Sequence, residues 1–159
     1  MKARTAARVV LLNPAGEVLL LHVKDMHDDS RHWWITCGGG AELGETAVQT
    51  AARELSEEAG IECDPADLLG PLASRSFVME FKHHSTIQHE TYYGMQCDED
   101  FDFDEAIWTD IEKASIVEGR WWSLSELSST TDVIYPPQLP TLVEMVQRRD
   151  VPDEPLVLE

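Results

Sequence analysis

Apolar positions in this chain come in short runs that change period as the chain proceeds. Residues 9–12 and 18–23 are apolar and rich in β-branched side chains, which predicts two strands. Between them stands Asn13-Pro14-Ala15-Gly16, with Pro second and Gly fourth, so the pair is expected to form a hairpin across a tight turn. Residues 25–32 are polar and charged and read as a loop. Residues 33–36 form a short aromatic and β-branched strand that runs into Gly38-Gly39-Gly40. The period then lengthens. Val48, Ala51, Ala52, Leu55 and Ala59 recur at helical spacing, predicting one helix over about 45–59, which Gly60 can end in a left-handed conformation. Two further strands are expected over 72–81 and 86–97, joined by a polar turn at 82–85. A strand over 120–124, a short helix over 125–127 and a last helix near 141–149 follow. The tail from about residue 151 is expected to be loosely held. Strands and helices alternate without a clean βαβ repeat, so the expected fold class is α/β, a mixed sheet with helices on its faces.

Composition narrows the functional classes. The 159 residues suit a single domain spanning 1–159, and 43% hydrophobic content is enough for a packed core. A net charge of −18 disfavours a nucleic acid polymer or an anionic membrane surface as partner, because both recruit Lys and Arg. It leaves room for a small anionic ligand whose charge is masked locally. Cys37, Cys63 and Cys97 are odd in number and lack metal-ligand spacing, so free thiols in a reducing compartment are expected. No apolar stretch approaches the roughly 20 residues of a membrane span. A cytoplasmic protein is expected.

The predicted helix carries Glu54, Glu57 and Glu58 at i, i+3 and i+4, on one side and about a third of a turn from the apolar stripe. Like charges at that spacing repel, and a hard divalent cation with oxygen ligands would reverse the penalty. The surrounding residues are equally regular. From Gly39 to Ile61 the chain reads GGAELGETAVQTAARELSEEAGI, which is G-x5-E-x7-R-E-U-x-E-E-x-G-U with U apolar. This segment resembles the Nudix box at every fixed position, and a looser resemblance to Nudix hydrolases (MutT-like enzymes) extends over about residues 5–147.

The resemblance implies an α/β/α sandwich and hydrolysis of a nucleoside diphosphate linked to another moiety, or of a nucleoside triphosphate, with Mg²⁺ (or Mn²⁺) as cofactor. It implies metal ligands at Glu54, Glu57 and Glu58, a backbone ligand at Gly38, and a small-molecule nucleotide as partner. A homodimer is compatible with it. Glu54 is left with two roles, ligand or activator of water. Gly39, Glu45, Arg53 and Gly60 are assigned to the scaffold of the box, with Glu45 paired to Arg53. A further carboxylate is expected after the central strands. Glu112 is the first candidate and Glu118 the second, ahead of the acidic run 98–105. For the substrate, Arg31, Trp33, Arg75 and Tyr92 are the candidates, with His83, His84 and His89 as weaker ones. One member of each of the pairs Trp33-Trp34, Trp121-Trp122 and Tyr92-Tyr93 is expected to be buried. Cys37 stands where the family commonly has Pro. A small buried residue is the simpler reading; the other is a nucleophile of the kind found in isopentenyl diphosphate isomerases. A nucleotide sensor without turnover remains an alternative function.

Overall fold

The computed structural model describes residues 1–25, 28–80, 83–98, 108 and 115–159. Its strands are β1 (Lys2–Leu12), β2 (Val18–Lys24), β3 (His32–Ile35), β4 (Cys37–Gly40), β5 (Leu69–Glu80), β6 (Ser85–Gln96), β7 (Ile116–Trp122), β8 (Ile134–Tyr135) and β9 (Leu156–Leu158). The α-helices are α1 (Ala47–Ala59), α2 (Leu124–Ser129) and α3 (Leu139–Arg148). The strands form one curled, mixed sheet in the order β8-β3-β2-β1-β6-β5-β9, with β4 also paired to β1 and β7 also paired to β2.

Alternation along β1 and β2 divides the core into two layers. Val10, Leu12, Val18 and Leu20 point to one face, where Leu139, Leu142, Val143 and Val146 of α3 cover them. Val9, Leu11, Leu19 and Leu21 point to the other, against Ala51, Ala52, Leu55 and Ala59 of α1. Strands buried on both faces need unbroken apolar runs, which is why 9–12 and 18–21 read as they do. Full burial of a side chain such as Leu55 stabilises the fold by roughly 1.5–3 kcal/mol. The expected stripe on α1 is therefore the one that packs.

The predicted turn forms, with the Gly16 amide donating to the Asn13 carbonyl at 2.9 Å. Its strands separate at once. Only Leu12 and Val18 pair, after which β1 runs parallel to β6 and β2 takes β7 and β3 as neighbours. β1 also starts seven residues earlier than its apolar run, because Lys2–Leu12 pairs along its length with Thr86–Gln96. Hydrophobicity does not mark its start at Lys2–Thr5, whose backbone pairs with β6 while the four residues stay exposed. The glycine run is a strand too. β4 pairs antiparallel with β1, placing Gly38 opposite Arg8 and Gly40 opposite Ala6.

Two expectations fail. The tail is not loose: β9 pairs in parallel with β5, Leu158 is buried, and Arg75 donates to the Glu159 carbonyl oxygen at 3.0 Å. Leu158 supplies the apolar anchor and the exposed edge of β5 supplies the backbone partners. Both Tyr92 and Tyr93 are buried, one in each core layer, since helices cover β6 on both sides. Among the described residues no helix is long and apolar enough to cross a membrane.

Candidate active site

Helix α1 starts at a capping box. The Thr46 hydroxyl accepts from the Gln49 amide, and the Gln49 side chain accepts from the Thr46 amide. It ends at Gly60, which is left-handed (φ 72°) and donates to the Ser56 carbonyl at 3.0 Å. Thr46, not Glu45, is therefore the N-cap. Glu45 sits just outside the helix and is committed to other partners. Its Oε2 takes Arg53 Nε at 2.7 Å, and its Oε1 takes the Thr50 hydroxyl at 2.8 Å and the Glu42 amide at 2.9 Å. The Arg53 hydrogen bond is the main reason that the Glu45 carboxyl is pulled down to about 2, with the Glu42 amide next.

Arg53 is the hub of the box. Besides Glu45, its guanidinium donates to Glu54 Oε1 at 3.1 Å, to Glu57 Oε2 at 3.2 Å and to the Gly40 carbonyl at 2.9 Å. The repulsion expected among the three glutamates is thus offset in part by an arginine, which also ties the helix to β4. The three carboxylates meet different surroundings. Glu57 is 49% exposed and Glu54 13%. Glu58 is 6% exposed, its Oε1 accepts the Gly38 amide at 2.7 Å, and its own carbonyl takes Trp108 Nε1 at 2.9 Å. Gly39 lies against Glu54 so closely that a Cβ there would come 2.5 Å from Glu54 Oε1. Gly38 (φ 155°) has backbone and Arg8 atoms where a Cβ would stand. Close approach of backbone thus requires glycine at 38, whereas a side chain at 39 would displace the end of Glu54.

On the other face of β1, a cavity of about 1040 Å³ opens between β3, β5 and β6. The four substrate-binding candidates, Arg31, Trp33, Arg75 and Tyr92, all line it, as do His83 and His84. Arg75 packs its guanidinium over Phe77 at 4.5 Å and Tyr135 at 5.1 Å. Arg31 is mostly exposed at the rim, 3.7 Å from Asp25. His89 is placed elsewhere, bonded to Ser76 at 2.7 Å. Trp33 is half-buried, whereas Trp34 and Trp122 are buried and meet edge to face at 5.0 Å.

The floor of this cavity holds residues that sequence reasoning passed over. Glu90 is buried, and it accepts from Arg8 Nε at 2.5 Å, Gln88 Nε2 at 3.0 Å and the Tyr92 hydroxyl at 3.0 Å. Burial alone would push its carboxyl up, but the charge of Arg8 and these hydrogen bonds hold it below the usual carboxylate range. Arg4 Nη1 extends the network to Gln88 Oε1 at 2.7 Å. The signal was the period-two series Gln88, Glu90, Tyr92 inside a strand, polar where an inward face is otherwise apolar.

The outer carboxylate candidates divide. Glu118 lies on β7 opposite His22, and in β2 that position faces the α3 layer rather than α1. The structure therefore does not bring Glu118 to the box. Glu112 and positions 99–105 of the acidic run lie outside the described residues. Cys37 is fully buried, and burial, with the charge of Glu58 next, pushes its thiol well above the usual range. That is the small buried residue, not an activated nucleophile.

The NUDIX domain family model matches residues 2–142. The mouse (Mus musculus) 8-oxo-dGDP phosphatase NUDT18 is 40% identical over 60 residues, which cover 38% of this chain and 18% of that protein. The matched segment thus spans under a fifth of the length of this relative. Among solved structures, the E. coli dihydroneopterin triphosphate pyrophosphohydrolase aligns with a TM-score of 0.64 at 17% identity, covering 93% of this chain and 99% of that one. A C. elegans Ap4A hydrolase complex aligns with a TM-score of 0.59 at 20% identity, covering 92% and 98%. Likeness at these identities is a likeness of fold. The chain belongs to the NUDIX family.

Proposed function

We propose that this NUDIX protein is a metal-dependent hydrolase that cleaves a phosphoanhydride bond in a nucleoside diphosphate derivative or nucleoside triphosphate. The observation that carries the reading is the pairing of Glu54 and Glu57 with Arg53 on the helix that also carries Glu58, with Glu58 tied to the Gly38 amide and the cavity adjoining at Arg8. The donor set is all oxygen and strongly anionic, and Gly39 leaves the space that Glu54 occupies. That donor chemistry fits a hard divalent cation, Mg²⁺ or Mn²⁺, although among the described residues no three such side chains are gathered as a ready-made metal site. Glu54, Glu57 and Glu58, with the Gly38 carbonyl, are the residues that would hold it. Bound there, the ion supplies charge neutralisation on the phosphate oxygens and a lower pKa for water.

The remaining work belongs to the chain. Glu54 is partly screened from solvent beside Gly39 and suits either ligation or orientation of the attacking water. Trp33 offers an aromatic face for a base. Arg75 and Arg31 offer charge to phosphates. Water oxygen bonds to one phosphorus, and the bond from that phosphorus to the bridging oxygen breaks. A nucleoside monophosphate leaves with a second phosphorylated product, or with pyrophosphate from a triphosphate. The relatives named for 8-oxo-dGDP and Ap4A support a nucleotide as the substrate class.

The test is product release from nucleoside diphosphate sugars, dinucleoside polyphosphates, and normal and oxidised nucleoside di- and triphosphates, with Mg²⁺, with Mn²⁺ and with EDTA. Cleavage of one class that EDTA abolishes is the expected result. Binding of these nucleotides without any metal-dependent product would replace the hydrolase by a nucleotide sensor.

A further inference from the structure

The buried ion pair Arg8–Glu90 has no part in the chemistry proposed above, yet it lies between the cavity and the box. Glu90 is 1% exposed at its side chain and Arg8 13%. Such pairs are weak sources of stability, because desolvation consumes most of the Coulomb gain and an apolar pair of similar volume often does as well. A positional role accounts better for one that is also fully hydrogen-bonded. Glu90 fixes Arg8 Nε, and Arg8 Nη1 donates to the Thr36 carbonyl at 3.0 Å. Thr36 is the link between β3 and β4, two residues before Gly38. The Gly38 amide, in turn, is bonded to Glu58. The peptide from Thr36 to Gly38 is therefore held on one side by Arg8 and on the other by Glu58.

We propose that Arg8, oriented by Glu90, is a positioning residue that holds the Thr36–Gly38 peptide, and through its Gly38 amide the Glu58 carboxylate, in the geometry of the reactive site. The inference rests on the hydrolase reading for its kinetic consequence but not for its structural one. A lysine at position 8 keeps the charge facing Glu90 but has no planar fork to serve both Glu90 and Thr36. Groups that orient a metal-binding side chain typically cost about 10–100-fold in affinity or activity when removed.

The experiment is amide hydrogen exchange on the isotope-labelled full chain, with steady-state kinetics on the same samples, for wild type, Arg8→Lys and Tyr92→Phe. Expected for Arg8→Lys are faster exchange at Gly38 by about 10-fold or more, a kcat lower by about 10–100-fold, and a KM within about twofold of wild type. Tyr92→Phe removes one donor to Glu90 while keeping the ring, and should move both readouts the same way by less. It also decides the matter should Arg8→Lys not fold. Unchanged protection at Gly38, or a raised KM with kcat intact, overturns the proposal. If wild type hydrolyses nothing, the hydrolase reading falls, while exchange at Gly38 still supports or overturns the positional role.

Discussion

The Gly38 amide donates to Glu58 Oε1 at 2.7 Å, joining a strand to a helix across twenty positions of sequence. A backbone donor aimed at a buried carboxylate sets where its oxygens stand. Replacing Glu58 by Gln keeps an acceptor for that amide and removes the charge. The expected outcome is an intact fold by circular dichroism, with metal-dependent turnover lower by about 10²-fold or more, the scale of losing one preorganised electrostatic group. Wild-type turnover in Glu58→Gln would remove this residue from the reactive site.

Neighbouring glycines should fail in different ways. A Cβ on Gly39 meets the far end of the flexible Glu54 side chain, so Gly39→Ala should cost about 1 kcal/mol or less in stability while it displaces that carboxylate and depresses kcat. A Cβ on Gly38 meets the Ala7 carbonyl and the Arg8 backbone at a φ of 155°. Gly38→Ala should destabilise by about 3 kcal/mol, from strain and overpacking together. Denaturant titration beside kinetics separates the two; equal stability losses would contradict the geometry.

Acid should reveal the Glu45–Arg53 clasp. The folded carboxyl lies at about 2 against an ordinary value of 4.5, so the unfolded chain binds the proton first. The stability contributed by this group is fully present above about 4.5 and is lost as pH falls towards 2. Glu45→Gln should therefore melt below wild type by a constant margin from pH 8 to about 5, and the margin should shrink on further acidification. Thermal melts across that range check it, and a margin that persists at the acid end would refute it.

Trp33 and Trp34 are adjacent but differ in what they touch. Trp33 lines the cavity and Trp34 packs against Trp122. Trp33→Ala should raise KM by the equivalent of about 1–3 kcal/mol, the value of stacking one base, with little change in stability. Trp34→Ala should cost about 3–5 kcal/mol of stability. Swapped effects in melting and kinetics would move the base-binding face to the wrong ring.

Cys37→Ser should leave the kinetics of hydrolysis unchanged, since a buried thiol held far above its usual range supplies no thiolate at neutral pH. Stability should fall by about 1–3 kcal/mol as a hydroxyl takes an apolar position. Abolished turnover in a folded variant would revive the covalent reading.

Much of this protein was legible one-dimensionally because the decisive patterns are local. The stripe Val48, Ala51, Ala52, Leu55, Ala59 and the spacing of Glu54, Glu57 and Glu58 lie within one helix, whose period converts sequence distance directly into a face. The apolar runs at 9–12 and 18–23 mark strands for the same reason. Pairing partners are a different matter. Nothing local says that polar Lys2–Thr5 continues β1, or that β2 abandons β1 after one pair, or that Leu158 anchors a ninth strand. Those follow from backbone bonds between distant segments. The same holds for the cavity floor: Arg8 and Glu90 are 82 positions apart and become a pair only when β1 and β6 lie side by side. Sequence by itself determined the family, the box helix and its carboxylates. Only the tertiary structure decided which strands flank β1, and thereby which charges are buried beneath the cavity, because burial and ion pairing depend on distance in space.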